Sequence, residues 1–280
     1  MARIRAKKII LVMSLKGGVG KSTLSASLAV WLATVMDCTV GLWDLDITSP
    51  SIPKIMGCQG QQVHVGAGMI IPYQWSDNLK VMSVDFLLPK NDQPIVFEGE
   101  MKASMIRQIM DSTDFGKMDY LIMDSPPSTS EELLTILDLF PASKINVVFV
   151  TQPSDIAENG VIKSVRMLTE RGYPIKGIVS NMDGLICSSC GHHNELFKDG
   201  MGVQAIADKY NIPYLGSVPI GDGIAENTNL LNGEKFYKLA QKIYEIDPVR
   251  HEEKFTKKSL RNKMGIALKA RKKFKREIQS

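Results

Sequence analysis

Val12 to Ala33 reads VMSLKGGVGKSTLSASLAVWLA: an apolar run, then a loop with three glycines and two lysines, then a helical pattern. A strand that ends in such a loop and opens a helix is the context a phosphate-binding loop requires. Gly17, Gly18 and Gly20, with Val19 between them, let backbone N–H groups turn toward phosphate oxygens. The helix beginning near Lys21 adds its positive N-terminal end. Lys21 is spaced to reach β and γ phosphates, and Ser22, followed by Thr23, to hold Mg²⁺. The usual spacing G-x-x-x-x-G-K-[ST] places glycine at position 15, where this chain has Leu15, and the chain carries a second lysine, Lys16. The plain alternative is a glycine-rich turn with incidental lysines.

Outward from this loop, apolar runs of strand length recur at Ile9–Ser14, Thr39–Leu45, Tyr120–Asp124, Ile145–Thr151, Ile175–Ser180 and Tyr214–Ile220. Helical patterns fill the gaps at Ser22–Met36, Met101–Asp111, Glu131–Phe140, Asp155–Glu170 and Gly202–Tyr210. Strands alternating with helices predict an α/β fold with a mostly parallel sheet covered on both faces. Continuous apolar strands agree with burial on both sides. Ligands of such sheets bind beyond the carboxyl ends of the strands, so the loops there are the places to look for chemistry. Two of them carry carboxylates: Asp44 and Asp46 in GLWDLDITSPS, and Asp124 in YLIMDSPPS. A strand-end carboxylate beside Mg²⁺ holds the metal's water shell or orients an attacking water, and otherwise caps a helix or forms a turn. The Gly- and Gln-rich stretch Gly57–Gly68 reads as a surface loop.

The chain has 280 residues and a formal charge of +4, and 44% of it is hydrophobic, enough for a core of ordinary size. The charge is uneven. Arg250–Ser280 holds 12 Lys or Arg against 3 Asp or Glu, a net of +9, which leaves 22 against 27, or −5, for the rest. The boundary predicted is a domain over 1–247 and a basic extension over 248–280. Leu260, Met264, Leu268, Phe274 and Ile278 fall near one helical face of that extension. It is either a solvated helical tail or a surface for anionic membrane, nucleic acid or an acidic partner. The apolar run near the start is too short for a signal-peptide core and no window suits a spanning helix, so the expectation is a cytoplasmic protein. Cys187 and Cys190 form CSSC, a spacing that in a reducing compartment suggests a metal site or redox pair. Cys38 reads as core and Cys58 as loop.

KGGVGKST resembles the deviant Walker A loop of the MinD, ParA and Mrp ATPases. The resemblance implies a P-loop NTPase that binds ATP and Mg²⁺ as a homodimer. Lys21 would serve its own nucleotide and Lys16 the neighbour's, with Lys16, Lys21 and Asp46 as the catalytic set. It also implies that Asp46 lies in the first switch region and contacts Mg²⁺ with Ser22, that Asp124 is the Walker B aspartate, and that Asn181 contacts the base. SNMDGLICSSCGHHNELF is similar to the N-M-x-G-x-x-C-x-x-C-G of the Mrp-type iron-sulfur carriers, and supporting matches run from Ile9 to about Tyr244. A [4Fe-4S] cluster takes four thiolates and one CxxC supplies two, so two chains complete one site. The function implied is a slow ATPase that carries a cluster to apo-proteins. Open alternatives are a zinc ion between the same thiols, a catalytic disulfide, and a MinD- or ParA-like positioning switch that uses the basic tail on membrane or nucleic acid. Where the family has R-G-P, this chain has Glu98 and Glu100; it also has Ser128 for glycine, Glu131 for aspartate, and Gly160 for an acidic residue.

Overall fold

The computed structural model describes residues 4–66, 68–87, 99–127, 130–187, 189–196, 202–220 and 234–250. In chain order these form β1 (Arg5–Met13), α1 (Lys21–Thr34), β2 (Val40–Asp44), α2 (Ile52–Ile55), β3 (His64–Gly66), β4 (Met69–Ile71), β5 (Tyr73–Ser76) and β6 (Leu79–Met82). There follow α3 (Gly99–Ser112), β7 (Lys117–Asp124), α4 (Glu131–Leu139), β8 (Ile145–Thr151), α5 (Asp155–Glu170) and β9 (Ile175–Ile186). The chain continues with β10 (His193–Asn194), α6 (Val203–Lys209), β11 (Tyr214–Ile220) and α7 (Glu234–Glu245). The main sheet runs β10-β9-β8-β1-β7-β2-β6-β5, with β11 also pairing β9. Its central pairs, β2 with β7, β7 with β1, β1 with β8 and β8 with β9, are parallel.

Adjacent residues of β1 point to opposite faces, and both faces are covered. Ile9, Leu11 and Met13 join a core with Leu133 and Ile136 of α4 and Val161, Val165 and Leu168 of α5. Ile10 and Val12 join a second core with Leu24, Leu28 and Leu32 of α1 and Phe236, Leu239 and Ile243 of α7. The continuous apolar pattern of the strands follows from this double burial.

The sequence reading differs from the structure in several places, among them β5, β6 and α7, which that reading does not contain. The Gly57–Gly68 stretch is not all loop: His64–Gly66 forms a two-stranded ribbon with Met69–Ile71. β9 does not end at Ser180 but runs to Ile186, so Asn181 lies inside a strand. Cys58 is buried against the α1 side of the sheet. Val249 exchanges backbone hydrogen bonds with Ile175, so the chain stays docked on β9 slightly beyond position 247. The basic extension from 251 onward, Glu98 and Ser128 lie outside the described residues. No helix among the described residues is long and apolar enough to cross a membrane.

Candidate nucleotide site and cysteine hairpin

β1 delivers the chain to the loop at the centre of the sheet, and Gly20 caps α1 in a left-handed conformation (φ 86°). Glycine is required there for a second reason. A Cβ at Gly20 would lie 2.1 Å from Nδ2 of Asn181. The Asn181 amide donates to the Val19 carbonyl at 2.8 Å, so β9 braces the loop from beneath. The register Val12↔Asp124 sets the Asp124 carboxylate under the start of α1. Lys21 Nζ pairs with Asp124 Oδ2 at 2.7 Å, both side chains being buried. Ser22 Oγ donates to the same oxygen at 2.6 Å and Ser25 Oγ to the other at 2.7 Å. A buried carboxylate is thus matched by one cation and two hydroxyls, as low dielectric demands.

Leu15 and Gly160, separate departures in sequence, meet in space. A Cβ on Gly160 would stand 3.1 Å from Leu15 Cδ1 and 3.2 Å from its Cβ. The bulkier loop residue is accommodated by the missing side chain on α5.

Asp44 is opposite Asp124 in the β2–β7 register. Its Oδ2 accepts from the amides of Ser51 and Ile52 at 3.0 and 3.1 Å, and its Oδ1 from the amide of Asp46 at 3.2 Å. Burial, and then the nearby Asp124 charge, push its carboxyl up from the usual 3.8 to about 8, against the pull of Lys21 and the amides of Ile52 and Asp46. The folded state therefore keeps a proton that the unfolded chain loses above about pH 4. The resulting stabilisation is full below that pH and is lost as pH rises toward about 8. Without nucleotide or Mg²⁺, the wild type is expected to be more resistant to urea at pH 5 than at pH 8, by about 1 to 3 kcal/mol relative to Asp44→Asn. An equal pH slope in the two proteins would refute this assignment.

Asp46 sits higher, where its Oδ1 accepts from the amides of Thr48 and Ser49 at 3.2 and 3.1 Å. It faces an open cleft of about 750 Å³, a size suited to a nucleotide. Gly17, Gly18, Gly20, Lys21, Ser22 and Thr23 form one wall; Thr48, Ser49, Pro126, Ser130, Glu132 and Met182 are among the others. The space a Cβ would take at Gly17 and Gly18 is open. Of the residues singled out in the sequence, Val19 turns its side chain into the core. Asp124 and Asn181 lie below the lining, and Lys16 is exposed. Ser25, Thr48, Ser130, Glu132 and Met182 are not singled out as site residues in the sequence, whereas Asp44 is, as a strand-end carboxylate beside Asp46. For Ser25 a signal existed, since it follows Ser22 by one helical turn.

Cys187 and Cys190 are remote from the loop in sequence but hang on the strand that braces it. Beyond Asn181, β9 pairs with β10 at Leu185↔Asn194 and Ile186↔His193. The intervening turn is closed by Cys187 N–H to the His192 carbonyl at 2.9 Å and Gly191 N–H to the Cys187 carbonyl at 2.8 Å. Cys190 is exposed and Cys187 half-buried. Gly184 (φ 79°) is needed beside this turn, because a Cβ there would lie 2.3 Å from His193 Nε2. The same nitrogen is 2.8 Å from the Asp183 carbonyl. Among the described residues no three His, Cys, Asp or Glu side chains converge to hold a metal ion.

Residues 5–248 match the family model described as ParA, NUBPL iron-transfer P-loop NTPase. Among solved structures, the chain is 31% identical to a nucleotide-binding protein from Archaeoglobus fulgidus in complex with ADP, covering 90% of this chain and 93% of that one, with a TM-score of 0.62. It is 20% identical to the septum site-determining protein MinD from Pyrococcus horikoshii, complexed with Mg-ADP (85% and 96% covered, TM-score 0.56). It is 21% identical to a chain of the Aquifex aeolicus MinC:MinD complex (85% and 95%, TM-score 0.55). The last two share the fold. A strand-loop-helix phosphate cradle over a buried Lys-Asp pair, in a mostly parallel sheet, together with a match over nearly the whole described chain, makes this protein a member of the ParA/NUBPL iron-transfer P-loop NTPase family.

Proposed function

We propose that the chain binds MgATP in the cleft and hydrolyses it as a slow switch, and that two copies together hold a [4Fe-4S] cluster between their Cys187 and Cys190 pairs and deliver it to apo-proteins. The observation that carries this reading is that one strand, β9, both touches the phosphate loop through Asn181 and ends in the CxxC turn. The donors fit the nucleotide. Backbone amides of the loop and the Lys21 ammonium would receive phosphates, and Ser22 with Asp46 would hold Mg²⁺. When bound, that ion supplies neutralising charge to the phosphate oxygens. Lys21 would exchange its Asp124 partner for phosphate, and Lys16, exposed outside the lining of its own cleft, is available to a neighbouring copy.

The cluster is cargo, and one copy provides two of its four thiolates. Anaerobic reconstitution with iron and sulfide is expected to load about four irons per dimer in the wild type and none in Cys187→Ala. A wild type that takes up only zinc, or no metal, would reject the carrier reading. The tail's net +9 is the feature that favours a second use on anionic membrane or nucleic acid. Truncation at 250 is then expected to abolish binding to anionic vesicles or DNA without changing iron content.

A further inference from the structure

We infer that Lys102, on the first turn of α3, is a positioning residue that fixes Asp46 over the nucleotide. The inference rests on the hydrolysis reading above. Lys102 Nζ donates to Thr48 Oγ1 at 3.1 Å and lies 3.9 Å from Glu132 Oε1. Its side chain is 22% exposed and that of Glu132 15%, so this is not a freely solvated surface pair. Thr48 and Glu132 both line the cleft, one from the loop after β2 and one from the first turn of α4. The Thr48 amide in turn donates to Asp46 Oδ1. One ammonium therefore spans the loop after β2 and the first turn of α4, both of which line the cleft, and it reaches Asp46 through a single residue.

The energetic argument is one of exposure. Thr48 and Ser49 are exposed and are held to Asp46 by local amide contacts at 3.2 and 3.1 Å. Such a turn opens readily unless something outside it holds it down. The bond from α3 provides that anchor. A carboxylate that must meet a metal or a water in one geometry loses rate steeply when its support loosens, whereas nucleotide affinity, set by the phosphate loop, does not. Losing Lys102 thus lowers turnover and leaves binding alone.

The test uses the full chain as wild type, K102A, K102R, T48V and K102A/T48V. K102A is expected to lower kcat for MgATP about tenfold with KM within about twofold of wild type. T48V is expected to do the same, and the double variant to be no worse than either single one, because both remove one bond. K102R should regain most of the rate. Independently of activity, the Thr48 and Ser49 amides of nucleotide-free K102A are expected to exchange with solvent about tenfold faster than in wild type. Unchanged exchange, an unchanged kcat in an active protein, or a loss of melting temperature with no rescue by arginine overturns the inference. If the wild type turns over no nucleotide, it is the hydrolysis reading that fails, and the exchange rates alone decide the role of Lys102.

Discussion

Lys21→Met is expected to weaken MgATP binding about 100-fold and, separately, to lower folding stability by about 3 to 5 kcal/mol. The two losses have different origins. The first is removal of the cation that would receive phosphate on the function proposed above. The second is present without any nucleotide, because Lys21 is the ion-pair partner of Asp124 at 2.7 Å, and Asp124 is fully buried. Methionine keeps most of the stem's packing and removes the charge, leaving Asp124 and Asp44 side by side without a cation. Removing one partner of a buried pair costs far more than the pair itself contributes, since the remaining charge is uncompensated. Lys21→Met/Asp124→Asn is therefore expected to recover most of the stability and none of the binding. Urea midpoints and nucleotide titrations of the three proteins check this. A Lys21→Met chain as stable as wild type would show that the pair carries no such role.

Gly160→Asp, which restores the acidic residue common in the family, is expected to destabilise this chain by about 2 kcal/mol and to weaken nucleotide binding. The reason is Leu15: its Cβ and Cδ1 already stand 3.2 and 3.1 Å from where the new Cβ would be, and the carboxylate would extend further into the same space. Leu15 is packed against the core on this face of the sheet, so it cannot simply rotate away, and pushing it moves the loop that carries Gly17 and Gly18. Leu15→Gly alone loses that packing and adds backbone freedom. Combined, the two changes relieve each other. A double-mutant cycle is expected to give a favourable coupling of about 1 to 2 kcal/mol, and strictly additive effects would mean that the two positions do not sense each other.

The sequence was informative where chemistry is local. The central strands showed as continuous apolar runs because both faces are buried, and the loop showed because its glycines and lysines are contiguous. The apolar run of β9 stops at Ser180, where the polar and small residues of NMDG interrupt it. Met182 (φ 57°) and Gly184 (φ 79°) do bend the backbone there, yet pairing with β10 and β11 carries the strand through. β3 was missed because all three of its residues are exposed and show no alternation. The burial of Asp44, as distinct from its place at a strand end, and the role of Lys102 are hidden in the sequence for another reason. The burial of Asp44 depends on the register of β2 against β7, and the reach of Lys102 depends on where α3 packs. Neither is a property of spacing along the chain.

The position of β1 between β7 and β8, with cores on both faces, has a consequence for how the two sites yield under load. Disturbing the phosphate loop's foundation means disrupting the middle of the sheet, which requires nearly the whole free energy of unfolding. The cysteine turn is fastened at its far side by the two exposed residues of β10, and such an element opens for a small fraction of that. The cysteine turn can therefore be reshaped while the end of the same strand that braces the loop stays folded.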